Sequence, residues 1–73
     1  VLAISEVKAP MTGEVGSIQV QVGMNVREGE ILMTLEAMKM ENQVCAPRQG
    51  IVIEILTTEG AVVHAGDILV VLD

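Results

Sequence analysis

The chain of 73 residues repeats itself once, at a constant offset of 37 positions. Ala9-Pro10-Met11-Thr12-Gly13 faces Ala46-Pro47-Arg48-Gln49-Gly50, with Ala, Pro and Gly coinciding. Val15 then meets Val52, Ile18 meets Ile55, Gly23 meets Gly60 and Val26 meets Val63. Gly29 meets Gly66, Ile31-Leu32 meets Ile68-Leu69, and Leu35 meets Leu72. Glu30 and Glu36 meet Asp67 and Asp73, so the sign of charge is kept. No gap is needed. One duplication is not a solenoid, which needs three or more units. Two copies of a single β unit most simply form interlocked halves about a pseudo-two-fold axis.

The unit is a β unit because of what it is made of. There is no Phe, Tyr or Trp, and the core must come from 12 Val, 7 Ile and 6 Leu, helped by Met and Ala. β-Branched residues fit strands. The same lack of aromatics argues against nucleic-acid binding by base stacking, and a net charge of −6 repels phosphate backbones and anionic headgroups. Cys45 is the one cysteine, so neither an internal disulfide nor a zinc set is available. No apolar run approaches the ~18 residues of a membrane span, and no signal-peptide pattern is present. One small domain over residues 1–73 is expected. Its start at Val1 rather than Met reads as an excised domain or processed fragment, and its lone cysteine suits a reducing compartment such as the cytoplasm.

Short apolar runs alternate with glycine-bearing turns, the pattern of an all-β barrel or sandwich. Ala9-Pro10 and Ala46-Pro47 open each copy, at a strand start or edge where proline's missing N–H does no harm. Ile18, Val20 and Val22 alternate with Gln19 and Gln21, which predicts a half-buried strand. Val15 is out of phase with them, which predicts a bulge near Gly16. Val22-Gly23-Met24-Asn25, Glu59-Gly60-Ala61-Val62, Glu28-Gly29-Glu30 and Ala65-Gly66-Asp67 read as turns. Ile31, Met33 and Leu35 match Ile68, Val70 and Leu72 as inward-facing rows.

The repeat also organises the middle of the chain. Copies of about 8–36 and 45–73 leave a join, and residues 38–44 correspond to 1–7. Val44 matches Val7, so Glu41 to Val44 should be a strand leaving a turn that Met33 to Glu36 enters. Lys39 then falls at a tight hairpin tip. Local chemistry would not place it there: type I′ turns favour Asn-Gly, and the central pair here is Met38-Lys39. An ordinary solvated lysine is the plain alternative. Met38 and Met40 are unusual neighbours for it; they either pack on the end of the barrel or offer a soft, adaptable contact to a modifying enzyme.

Glu36-Ala37-Met38-Lys39-Met40-Glu41-Asn42 resembles the attachment motif of biotinyl (biotin carboxyl carrier) domains in the biotin/lipoyl attachment family. Ala9-Pro10-Met11, Gly13, Gly23, Gly29, Ala46-Pro47, Gly50, Gly60 and Gly66 match that family's framework, over residues 7–73. The resemblance implies a flattened β-barrel of two four-stranded antiparallel sheets, with the lysine on a hairpin opposite the termini. It implies that a biotin protein ligase activates biotin as an acyl adenylate and that the ε-amine of Lys39 attacks it to form an amide. A free lysine is mostly protonated at neutral pH, so the ligase must supply deprotonation and alignment. The attached biotin then carries carboxyl groups between a biotin carboxylase and a carboxyltransferase, at a high effective concentration, within a carboxylase, decarboxylase or transcarboxylase. The domain itself is no enzyme. The gapless repeat leaves no room near Gly16-Ser17-Ile18 for the protruding thumb of some bacterial acetyl-CoA carboxylase carriers, so the thumbless type is expected.

Other readings remain at this point. Lipoyl domains share the fold, but their lysine is usually preceded by Asp and followed by Ala. An unmodified β-barrel module would take no adduct. A self-contained enzyme lacks a catalytic set or metal cluster: His64 is the only histidine, and its repeat mate is Arg27. Glu36 and Glu41 either tune recognition by the ligase or are simply solvated.

Overall fold

The Val/Ile/Leu runs between glycine turns become eight strands: β1 Ser5–Lys8, β2 Gly13–Ile18, β3 Asn25–Val26, β4 Ile31–Ala37, β5 Met40–Cys45, β6 Gly50–Ile55, β7 Val62–Val63 and β8 Ile68–Leu72. The computed structural model describes residues 4–73; the expected match of residues 38–40 to 1–3 lies outside the described residues. The strands form two four-stranded antiparallel sheets, ordered β1-β8-β6-β3 and β5-β4-β2-β7. A shift by 37 residues turns one order into the other. Each sheet therefore draws two strands from each copy of the repeat, and neither copy has a sheet of its own.

The core follows the same rule. Matched pairs are buried together: Val7 with Val44, Ala9 with Ala46, Val15 with Val52, Val26 with Val63, Leu32 with Leu69, and Leu35 with Leu72. These apolar side chains leave water at about 25 cal/mol per Å², and removing one opens a cavity bounded by both halves. The Ala-Pro and glycine positions of the repeat are tied across the halves. The Gly66 N–H donates to Ala9 O at 2.9 Å and the Ala9 N–H to Asp67 O at 2.8 Å; the Gly29 N–H donates to Ala46 O and the Ala46 N–H to Glu30 O, both at 2.8 Å. Gly29 (φ 83°) and Gly66 (φ 92°) hold left-handed torsions that a side chain disfavours. The prolines do not start strands. Pro10 and Pro47 lie in bends between β1 and β2 and between β5 and β6, where no ladder bond is asked of them.

The bulge expected near Gly16 is present and is doubled by the repeat. On β2, Val15 pairs with Leu35 but Ile18 pairs with Met33; on β6, Val52 pairs with Leu72 but Ile55 with Val70. The Ser17 N–H, released from the ladder, donates to Thr34 Oγ1 at 2.8 Å. The Ile18 N–H donates to Glu59 Oε2 at 2.9 Å. A Cβ at Gly16 would run into Thr34 Oγ1.

Two expectations need correction. The strand predicted from Ile18 through Val22 ends at Ile18, because the chain turns at Val22-Gly23; Val20 is buried, but Val22 is 62% exposed. The inward rows are fuller than alternation allows: Leu32 and Leu69 are as buried as Met33, Leu35, Val70 and Leu72, while Ile31 and Ile68 are half-buried. A second pair of bulges explains this. The register slips between Ile31 and Met33 against β5, and between Ile68 and Val70 against β1. A bulge lets consecutive side chains face one side.

Candidate functional site

The β4–β5 hairpin carries the residues of interest. Its closing pair is Ala37 with Met40, leaving Met38 and Lys39 as the two turn residues. Both have positive φ, 53° and 62°, as a type I′ turn requires. They are the only non-glycine residues with positive φ among the described residues. Each L-residue in this region costs about 1 kcal/mol or more. The duplication placed this tip correctly, and local turn propensity would have missed it.

Lys39 is exposed, and its amine has no ion pair or hydrogen bond with any described residue. Met38 is 94% and Met40 65% exposed, so neither packs on the end of the barrel. Two large apolar side chains flank the amine in water. Ala37 is half-buried directly below the turn. Below the tip β2 presses closely on β4: a Cβ at Gly13 would lie 2.5 Å from Glu36 O and 3.2 Å from Leu35 Cγ. The hairpin therefore rises from a tightly packed base, and its base residue Leu35 is fully buried.

Glu36 and Glu41 do lie on opposite strands, as expected, but directly across from one another. Glu14 of β2 pairs with Glu36 in turn. Three exposed carboxylates thus form a row across β5, β4 and β2. Like charges directly opposite destabilise a sheet. Glu14 was not singled out in the sequence, since only strand register brings it to Glu36. Asn42 is half-buried, and its Nδ2 donates to Leu35 O and to Met40 O, each at 3.3 Å. Its position in the motif was legible; its bonding was not.

The remaining candidates lie elsewhere. Lys8, the other lysine of the chain, is exposed on β1 and pairs with Ile68, so it rises from a strand and not from a tip. His64 is exposed in the turn before β8; its N–H donates to Asp67 Oδ2 at 2.9 Å, and Nδ1 lies 3.9 Å from the same oxygen. This mirrors the Arg27 N–H donating to Glu30 Oε1 at 3.1 Å in the first copy, so a matched turn cap accounts for the pair. Cys45 is a free, exposed thiol on β5. No group of three or more His, Cys, Asp or Glu side chains suited to a metal occurs among the described residues, and none of their helices is long and apolar enough to cross a membrane.

The family model described as "Biotin-requiring enzyme" matches residues 5–72. The chain is 43% identical over 70 residues to the biotin carboxyl carrier protein of Streptococcus mutans serotype c, covering 96% of this chain and 54% of that one. It is 50% identical over 48 residues to the methylmalonyl-CoA decarboxylase subunit gamma of Veillonella parvula, covering 66% and 37%. Among solved structures, the urea carboxylase of Kluyveromyces lactis superposes with a TM-score of 0.92 at 32% identity, over 100% of this chain and 6% of that one. The chain thus spans about half or less of the length of these relatives.

Proposed function

The chain belongs to the biotin-requiring enzyme family, and from that membership we propose that Lys39 is the residue to which its biotin is joined. It is a non-catalytic carrier domain of the kind found in biotin-dependent carboxylases and decarboxylases, with biotin as its covalent cofactor. Biotin, when attached, supplies a ureido ring that takes up and gives up CO₂. Everything else asked of this chain is presentation.

The carrying observation is the state of the Lys39 amine: exposed, unpartnered among the described residues, and mounted on a two-residue turn. An amide forms only from the neutral amine, and no described side chain bonds to this one to take its proton. The proton must pass to the partner that performs the acylation, which we infer to be a biotin protein ligase. The chain supplies fixed geometry through the Gly13–Glu36 contact and a reach beyond the sheets. Arginine cannot replace this lysine, because it is not deprotonated in proteins. Met38 and Met40 present polarizable side chains beside the amine, suited to contacts that must adapt to more than one partner. Those partners are, on this reading, the ligase, a biotin carboxylase and a carboxyltransferase.

Two finer points belong to the same proposal. β2 ends at Ile18 and only residues 19–21 separate it from the Val22-Gly23 turn, which supports the thumbless type. The ligase uses ATP, so we place modification in the cytoplasm, in a mitochondrial matrix, or on the cytoplasmic face of a membrane-bound decarboxylase.

Intact mass before and after incubation with ligase, ATP and biotin tests the proposal. One biotin adduct is expected on the wild-type chain and none on Lys39→Ala, with both folded. Retained labelling of Lys39→Ala defeats the assignment, and a chain that takes no biotin here but gains a lipoyl adduct from lipoate, ATP and a lipoate ligase would move the domain to the other branch of its family.

A further inference from the structure

The tip that carries Lys39 is held in a conformation its own residues resist. Met38 and Lys39 both sit at positive φ with neither glycine nor asparagine to make that easy. One pair below the turn, Glu36 and Glu41 face each other, and their charges push the strands apart. Something must offset these two effects if the amine is to be held in one place.

Asn42 is placed to do so. Between Glu36 and Asn42 it is the only residue whose side chain bonds to backbone. Its Nδ2 donates to Leu35 O across the hairpin and to Met40 O on its own strand, immediately after Lys39. The first contact joins the strands on the far side of the repelling Glu pair from the turn. The second fixes the carbonyl at the exit of the turn. At 3.3 Å each is long for an N–H···O bond, so the two together count as about one ordinary bond. The bond to Leu35 O is part-buried, which limits its replacement by water, while the bond to Met40 O is exposed.

We propose that Asn42 is a positioning residue for acylation of Lys39: its amide braces a strained turn and holds the amine on one trajectory. The kinetic part of this proposal rests on the attachment reading above; the bracing itself does not. No bond of the modification involves Asn42.

The test uses Asn42→Ala in the 73-residue chain, read in two ways. Amide hydrogen exchange at Ala37 and Met40, the pair that closes the turn, should quicken about fivefold, the factor that about 1 kcal/mol of net hydrogen bonding gives, while exchange by local opening of the two-residue edge strand β3 in the other sheet stays as in wild type. In labelling by biotin protein ligase, KM for the chain should rise by a similar factor with kcat unchanged. Adding Met38→Asn to Asn42→Ala should return tip exchange toward wild type, since asparagine accepts the left-handed torsion; a merely structural role for Asn42 would show no such rescue. Should Asn42→Ala not fold, Asn42→Leu reads the same way, because it has no donor and adds no charge beside Glu36 and Glu41. Unchanged exchange at Ala37 and Met40, an equal quickening at β3, absence of rescue, or an unchanged KM would each overturn the proposal. A wild-type chain that takes no biotin would instead defeat the attachment reading and leave the exchange result standing.

Discussion

At the scale of single residues, the turn is the place where function and stability oppose one another. Met38 occupies the first central position of a type I′ turn with φ of 53°, where glycine is free of steric cost. Met38→Gly should therefore raise the denaturation midpoint, by an amount equivalent to about 1 kcal/mol, with m unchanged. Equal or lower stability would show that the Met38 side chain contributes packing which its 94% exposure denies. The two methionines are expected to matter later in the cycle than attachment. Met38→Leu and Met40→Leu keep the apolar bulk and lose the thioether. Each variant should accept biotin as wild type does and pass carboxyl groups more slowly in single-turnover transfer. Equal transfer rates would remove the sulfurs from the account.

At the scale of elements, the bulges decide which backbone groups leave the ladder and which side chains must meet them. Thr34 Oγ1 accepts from the Ser17 N–H in the first copy, whereas Val71 stands at the matching position in the second. Thr34→Val should thus fold, with a loss of about 1 kcal/mol for the orphaned N–H, measured by chemical denaturation. Gly13→Ala is a harsher change. Its Cβ would meet the backbone oxygen of Glu36 at 2.5 Å, and backbone yields less readily than a side-chain tip. A loss of at least about 2 kcal/mol is expected, together with faster amide exchange through β4 at Glu36 and Ala37. Elements also show where sequence reading succeeds and stops. The Ala-Pro positions and turn glycines were legible because each recurs 37 residues on, and the structure ties each to its counterpart's turn. The Lys39 tip was legible only through that duplication, since Met38-Lys39 lacks turn chemistry. Ile18, Val20 and Val22 mimicked a strand because three β-branched residues in alternation look alike whether or not the chain turns at Gly23. Leu32 and Leu69 escaped the inward rows because a bulge changes side-chain phase without leaving a residue-type signature.

At the scale of the whole molecule, the two copies complete each other's sheets, and the β1-β8-β6-β3 sheet needs its first and last strands, β1 and β8, held together. Arg48 does much of this. Its Nε donates to Ser5 Oγ at 2.7 Å, and its Nη atoms donate to Gln49 O, Asp73 O and Leu72 O. Arg48→Ala should cost about 1–3 kcal/mol and quicken amide exchange over β1 first; uniform exchange change would mean the ends are not a separate unit. The repeat sets Ser5 and Asp73 of this tied end against Asn42 and Glu36 just below the Lys39 tip, so one repeat has been put to two uses, closure and presentation. The row Glu14–Glu36–Glu41 shows how much of the site lies beyond sequence, because it exists only through the register of three strands. Of the two exposed lysines, Lys8 on a strand and Lys39 on a turn, we propose that only the second is acylated. Peptide mapping of the ligase-treated chain by tandem mass spectrometry tests it most directly. The expected result is a single biotin on Lys39 with Lys8 unmodified; biotin on Lys8, or on both lysines equally, would contradict it.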